Sequence, residues 1–169
     1  MLDAMGSYRW PAPTRNWGPA APAPPPLAER DGPNTKPWRL IGALNALTGR
    51  VAYLDADILG REKVLACYRQ LLHAYPKARR SYVVQDTWSI HPHADVLAAL
   101  AELPQLEPVW LPTYAPWLTP IEKLWRWLRE AILKLHRLAG DWSALRDRVN
   151  AFWDQVAHGS QALLRDVGL

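Results

Sequence analysis

The chain has 169 residues, of which 49% are hydrophobic, a length and composition that predict one globular domain and exclude a largely disordered chain. Its formal net charge of +4 favours a polyanionic partner only where the basic side chains cluster. A single cysteine, Cys67, excludes an internal disulfide and a cysteine-cluster zinc site. No apolar run predicts a membrane span, and the N-terminal residues do not have the profile of a signal peptide. We therefore expect a cytoplasmic protein.

The N-terminal segment is rich in proline up to residue 37. This composition predicts an extended or disordered segment that stays outside the core. We therefore divide the chain into a proline-rich segment, residues 1–37, and a folded domain, residues 38–169. Asp3 by itself carries little information, because disorder is common close to a chain terminus.

Residues 38–54 hold two short apolar strands around the Asn and Gly residues of positions 45–49, which predicts a β-hairpin. Residues 62–73 follow with apolar side chains at helical spacing. Pro76 ends this amphipathic helix, which we expect to pack on the sheet.

The next elements read as a βαβ unit that ends in two acidic positions. Residues 81–85 are rich in β-branched and aromatic side chains and lead directly to Asp86, and a helix at 94–103 and a strand at 106–111 follow. Parallel strands joined in this way end on the same edge of the sheet. We therefore expect Asp86 and the loop 112–119, which leads to Glu122, to face one crevice.

Two further helices complete the pattern, and each has one apolar stripe. Asp141 is the predicted N-cap of the second. The first stripe leaves the basic residues Lys123, Arg126 and Arg129 on the opposite side. The predicted stripe residues are Ile121, Leu124, Trp125, Leu128, Ile132 and Leu135 in the first helix and Trp142, Leu145, Val149, Phe152 or Trp153, and Val156 in the second.

Both acidic residues also have purely structural interpretations. The sequence from Thr119 to Glu122 matches a capping box with proline at the first helical position, and Glu122 could instead pair with Arg126. Asp86 could cap the turn that follows its strand. The residue pattern leaves these alternatives open.

The histidines and tryptophans have alternative uses as well. His91 and His93 lack a third nitrogen or sulfur donor at metal-site spacing, so we expect both on the polar surface. Most of the tryptophans lie on helical stripes or beside prolines, which favours core packing over base stacking. The basic face of the Glu122 helix is either a solvated face or a phosphate contact.

Three segments resemble the catalytic domain of DDE transposases, in the bacterial insertion-sequence branch of the mariner superfamily. They are WRLIGALNALTG (38–49), YVVQDTWSIH (82–91) and, most specifically, LPTYAPWLTPIEKLWRWL (111–128). The resemblance implies an α/β fold of the ribonuclease-H-like type, a mixed sheet flanked by helices. It also implies that two aspartates and a glutamate hold divalent metal for DNA strand cleavage and transfer, with Asp3, Asp86 and Glu122 as the first, second and third acids.

The chemistry implied by the resemblance needs two Mg²⁺ or Mn²⁺ ions, since a metal pair can stabilise both the attacking and the leaving oxygen. Carboxylate oxygens suit these cations. Without a cation the three carboxylates repel one another, so raised pKa values or a splayed triad are expected. The implied partner is double-stranded DNA, with a homodimer as the assembly, and the candidate DNA contacts are His91, Lys123, Arg126 and Arg129.

The sequence also departs from the family pattern. Family members usually have Glu, Asn and Asn at the positions of Ala4, Thr87 and Thr119. They have a complete first strand before the first aspartate and helix-turn-helix modules upstream, whereas only Met1 and Leu2 precede Asp3 here. We therefore expect the first strand to be largely missing and the chain to be a truncated transposase. The alternative is an inactive remnant that binds nucleic acid or another protein.

Overall fold

The computed structural model describes residues 1–12, 38–112 and 118–169. The prediction of an extended or disordered proline-rich segment falls on residues 13–37, outside the described residues, and so does the middle of the predicted loop 112–119. Among the helices of the described part, none has the length and apolar character that a membrane crossing requires.

The five strands found in the described residues form two hydrogen-bonded groups that adjoin where β1 contacts β4. The strands are β1 (Leu2–Ser7), β2 (Trp38–Leu44), β3 (Val51–Ala56), β4 (Ser81–Gln85) and β5 (Leu106–Trp110). β1, β2 and β3 pair antiparallel in that order, and β4 and β5 are parallel. The predicted hairpin and the predicted parallel βαβ unit are both confirmed.

The helices are α1 (Arg61–Ala74), α2 (Ala94–Ala101), α3 (Ile121–Leu128), a π-helix (Arg129–Leu133), α4 (Trp142–Ala157) and α5 (Gln161–Val167). The predicted cap of α4 is confirmed, because the carboxylate of Asp141 accepts a hydrogen bond of 2.9 Å from the amide of Ala144. Helix α5 was not predicted. It has a cap of the same kind, in which the hydroxyl of Ser160 accepts from the amide of Leu163 at 3.0 Å.

The first strand corrects two expectations. β1 pairs with β2 along its whole length, from Leu2 opposite Ala43 to Ser7 opposite Trp38, so a first strand is present from Leu2 onward. The guanidinium of Arg9 also donates hydrogen bonds to two backbone carbonyls ahead of α4. The boundary predicted after residue 37 therefore does not separate residues 1–12 from the folded domain, because these residues pair with its sheet.

Helices cover both faces of the sheet and enclose two apolar cores. One core joins β1 and β2 to α1, α2, β4 and β5, and the other joins β1–β3 to α3, the π-helix, α4 and α5. Three tryptophans are at most 1% exposed in the second core, which confirms core packing for Trp38, Trp125 and Trp153. Among the described tryptophans, Trp88, Trp110 and Trp127 are the exceptions, at 41%, 37% and 47% exposed.

The end of the helix that carries Glu122 differs from the prediction. The amide of Lys134 donates to the carbonyl of Arg129 at 2.9 Å, five residues back, so the last turn is π-helical. This wider turn contains an extra residue and rotates the following side chains. Leu133 therefore takes the buried position predicted for Ile132, and Leu135 lies beyond the helix with a φ of 49°.

Candidate active site

Asp3 enters the site from the face of β1 that carries α3. Side chains alternate along a strand, so Leu2 and Ala4 face the core of α1 while Asp3 and Met5 face the opposite side. There the indole Nε1 of Trp125 donates a hydrogen bond of 2.9 Å to Oδ2 of Asp3. The first acidic residue is thus held between β1 and α3.

Asp86 directly follows β4, as the βαβ pattern predicts. Its Oδ1 lies 2.8 Å from Nδ1 of His91 and accepts a 3.3 Å hydrogen bond from the amide of Trp88. The turn-capping interpretation of this aspartate is therefore correct. It does not exclude a further role, because the side chain of Asp86 is still 49% exposed.

Glu122 lies in the first turn of α3, where a negative charge interacts favourably with the helix dipole. The N-cap is Pro120, and the amide of Glu122 donates a hydrogen bond of 2.9 Å to the backbone carbonyl of Thr119. Within the described part of the chain no ion pair joins Glu122 to Arg126. Its carboxylate is available to the crevice.

The three acidic residues line one open cavity of about 480 Å³. Elements distant in sequence supply them: β1 carries Asp3, the end of β4 carries Asp86, and the start of α3 carries Glu122. The remaining lining residues are Ala4, Met5, Arg39, Leu59 and Trp88. The expectation that carboxylates from the sheet edge and the following helix face one crevice agrees with this geometry.

The pKa of Asp3 shows how these carboxylates affect one another. Burial is the largest cause that raises it, and the negative charges of Glu122 and Asp86 raise it further, to about 6. Hydrogen bonds from the backbone amide of Ala4 and from the indole of Trp125 act in the opposite direction. A cation nearby would therefore stabilise the ionised form of Asp3.

The donor set fits a hard divalent cation, because all three acids present carboxylate oxygens to one cavity. Among the described residues no three His, Cys, Asp or Glu side chains come close enough together to hold one ion. Mutual repulsion among carboxylates without a cation predicts that the three side chains lie apart in this way. A cation would have to draw the three side chains inward.

The predicted DNA contacts fall into two groups. Lys123, Arg126 and Arg129 are exposed along α3 and the π-helix, as expected for a basic face. His91 is only 1% exposed, so the expectation that it lies on the surface and contacts DNA is wrong. Its ring packs edge-on against Trp88 at 5.8 Å and holds Asp86 instead, whereas the side chain of His93 is exposed as predicted.

Sequence reasoning missed two residues of the site. Arg39 lies opposite Gly6 in the β1–β2 pair, and its guanidinium occupies the space that a Cβ at Gly6 would need. Trp125 was predicted as a core residue only, and its hydrogen bond to Asp3 was not foreseen. The one available signal was that Arg39 is the single charge in an otherwise apolar strand. The residue opposite it on β1, Gly6, could not be identified without the strand register.

Comparisons with known proteins identify the family and the fold of the chain. The sequence profile of the family described as "DDE superfamily endonuclease" matches residues 2–146. A Shigella sonnei protein described as "Insertion element IS630 uncharacterized 39 kDa protein" is 27% identical over 126 residues, which cover 75% of this chain and 36% of that protein. The chain thus spans about a third of the length of this relative.

Solved structures of the Mos1 transposase are similar in fold. The complex titled "Mos1 transposase paired-end complex with left transposon end" matches with a TM-score of 0.71 at 18% identity, over 98% of this chain and 50% of that one. Mos1 paired-end complexes with Mn and with Mg match with TM-scores of 0.69 and 0.67 at 16% identity, over 98% of this chain and 50% and 51% of theirs. The likeness confirms the predicted ribonuclease-H-like α/β fold.

Proposed function

Because the chain belongs to the DDE superfamily endonuclease family, we propose that it is a transposase catalytic domain that cleaves DNA strands and transfers them at the ends of an insertion element. One observation carries the proposal. Asp3, Asp86 and Glu122 come from three separate elements and line a single cavity. A structural role for each of them alone would not require that convergence.

Asp3, Asp86 and Glu122 would hold Mg²⁺ or Mn²⁺, in a site for two metal ions. When bound, such ions neutralise charge on the phosphoryl oxygens and activate the attacking oxygen. Two of the matched Mos1 paired-end complexes are with Mn and with Mg, which supports this choice of cation. Asp3 supplies a partly buried ligand fixed by Trp125, and Glu122 supplies one from the start of a helix.

Basic residues around the cavity would position the DNA backbone. Arg39 lines the cavity itself, where its planar guanidinium can pair with a phosphate that also faces the carboxylates. Lys123, Arg126 and Arg129 extend the basic surface along α3 and the π-helix. Such contacts release counterions, so binding to double-stranded DNA should weaken steeply as salt rises.

The chain spans about half the length of the matched Mos1 chains. We include in this proposal the recognition of particular DNA ends, strand transfer by the whole protein and assembly as a homodimer. The mild overall charge of +4 argues that DNA binding rests on the local basic surface and not on the molecule as a whole.

A strand-cleavage assay tests the proposal. The substrate is a linear duplex that carries the terminal repeats of the element, incubated with Mg²⁺ or Mn²⁺ and with wild type or Glu122→Gln. Glu130→Gln is the matched control, because Glu130 lies on the same helical run but outside the cavity, paired with Lys134. We expect nicking by wild type and by the control, and a loss of at least about a hundredfold in Glu122→Gln, since the exchange removes a metal ligand.

Equal nicking by Glu122→Gln and wild type would overturn the catalytic proposal. A duplex that is retarded without metal, and never cleaved with any metal, would support the alternative of an inactive nucleic-acid-binding remnant. A retardation assay on the triple variant Lys123→Gln, Arg126→Gln and Arg129→Gln separates the two roles, because it tests the basic surface without changing an acidic residue.

A further inference from the structure

The indole of Trp125 links the helix of the third acid to the strand of the first. Trp125 follows Glu122 by three residues, so the two side chains lie on neighbouring positions of one face of α3. The ring is fully buried, and its Nε1 is 2.9 Å from Oδ2 of Asp3. The side chain of Trp125 therefore connects the helix that carries Glu122 to the carboxylate of Asp3.

The ring reaches Asp3 only because position 42 is a glycine. Gly42 is the β2 residue directly opposite Asp3 in the strand register. A Cβ at Gly42 would lie 2.7 Å from Cη2 of Trp125, closer than any real contact. The sheet thus leaves a gap of one side chain beside Asp3, and the indole fills it.

Other aromatic rings pack around the indole in the same core. Trp153 packs edge-on against Trp125 with ring centroids 5.2 Å apart, and Tyr53 stacks on Trp153 at 5.4 Å. Trp153 is as deeply buried as Trp125, but its Nε1 has no hydrogen-bond partner among the described residues. The two tryptophans share one core and differ in whether the N–H group is used.

We propose that Trp125 is a positioning residue. Its indole N–H orients the carboxylate of Asp3 toward Asp86 and Glu122, so that the three carboxylates can together form the divalent-cation site. The inference deepens the proposed function and rests on it for the identity of the ligand. A neutral N–H donor suits the task, because it binds one oxygen of the carboxylate without cancelling its charge. The remaining lone pairs stay available to a cation.

Trp125→Phe tests the proposal, because it removes the N–H group and keeps an aromatic ring in the core. Trp153→Phe is the matched control, since it makes the same exchange in the same core without touching Asp3. Mn²⁺ binding without DNA is measured by calorimetry, and urea unfolding is measured in parallel. We expect Trp125→Phe to weaken Mn²⁺ binding about tenfold and Trp153→Phe to change it less than about twofold.

Equal Mn²⁺ affinities for Trp125→Phe and wild type, or equal losses in both tryptophan variants, would overturn the positioning role. If Trp125 had a purely structural role, both variants would have a lower urea midpoint of unfolding, and their affinities for Mn²⁺ would not differ.

A second readout separates this inference from the proposed function. The indole ¹H–¹⁵N resonance of Trp125, assigned by its loss in Trp125→Phe, should shift in Asp3→Ala, while that of Trp153 should move little. If wild type binds no Mn²⁺ but the Trp125 resonance shifts, the cation-binding proposal fails and the contact of Trp125 with Asp3 stands. If the Trp125 resonance does not shift in Asp3→Ala, the positioning role is wrong, whether or not wild type binds Mn²⁺.

Discussion

At the scale of single residues, Asp3 combines the metal-binding role that we propose with a stability cost. Burial and two neighbouring carboxylates raise its pKa from 3.8 to about 6. The folded state therefore holds the proton of Asp3 more tightly than the unfolded state does. The stability that this group contributes is complete below pH 3.8 and is lost as the pH rises through about 6.

Asp3→Asn should accordingly stabilise the protein near neutral pH when a chelator is present. The amide carries no charge, so the variant avoids a cost of roughly 2 to 3 kcal/mol at pH 7. Urea unfolding at pH 4.5 and 7.5 measures the effect, with the exposed Asp57→Asn as control. An advantage of Asp3→Asn that grows toward low pH would contradict the assigned cause.

His91 is a second residue in contact with one of the three acids. Its Nδ1 lies 2.8 Å from Oδ1 of Asp86 and 3.2 Å from the carbonyl of Asp86, so Nδ1 carries the proton and donates. The other nitrogen, Nε2, is buried and has no partner among the described residues. The ring thus contributes little to polar stability beyond its hold on Asp86.

His91→Leu and His91→Asn should therefore behave differently. The leucine keeps the volume in a buried position and removes the donor, so we expect a free energy of unfolding within about 1 kcal/mol of wild type but Mn²⁺ binding weakened roughly tenfold. The asparagine amide can replace the Nδ1 donor and should restore part of the affinity. Unchanged Mn²⁺ binding in His91→Leu would show that the contact does not orient Asp86.

At the scale of elements, the corner between α4 and α5 docks onto the β2–β3 turn through glycine. Gly159 has a φ of 71°, and a Cβ there would lie about 2.5 Å from backbone atoms of Thr48 and Gly49. Backbone on both sides leaves no flexible group that could move away. This contact fixes the last two helices against the hairpin that carries Arg39.

Gly159→Ala should therefore destabilise the protein strongly, because it adds both a left-handed strain and a backbone clash, together roughly 2 to 4 kcal/mol. Gly60→Ala is the matched control, since a Cβ at Gly60 meets nothing within 4 Å. We expect it to cost less than about 1 kcal/mol. Thermal unfolding of both variants checks the difference, and similar losses would show that the corner is not tightly docked.

The elements also differ in whether they can be predicted from the sequence alone. The strand ending at Asp86, the helix after it and the second strand follow from local alternation and spacing, and the carboxylate crevice follows from their parallel connection. The π-helix has no such signal, because its extra residue depends on packing against other elements, and Leu133 was missed for that reason.

At the scale of the whole molecule, the parts that could not be predicted depend on which strands pair. Arg39 reaches the cavity because β1 lies next to β2 in a register that places Gly6 opposite Arg39. The same pairing places Asp3 opposite Gly42 and lets Trp125 reach it. Such contacts join residues distant in sequence, so composition and periodicity along the chain cannot supply them.

Three supports in the fold carry the acidic residues of the cavity. One is the antiparallel group, one is the parallel pair and one is α3, and the antiparallel group shares one apolar core with the parallel pair and the other with α3. A cation that binds all three supports should stabilise the native state by mass action. We expect saturating Mg²⁺ to raise the melting temperature of wild type but not of Asp86→Asn, and a rise in both would place the cation elsewhere.

The most direct test of the account is a crystal structure with Mn²⁺, in which anomalous scattering locates the ion. We predict an anomalous peak in the cavity, with carboxylate oxygens of Asp3, Asp86 and Glu122 at about 2.1 Å from bound metal. Manganese bound at another place, or three carboxylates that remain apart at saturating Mn²⁺, would contradict the account.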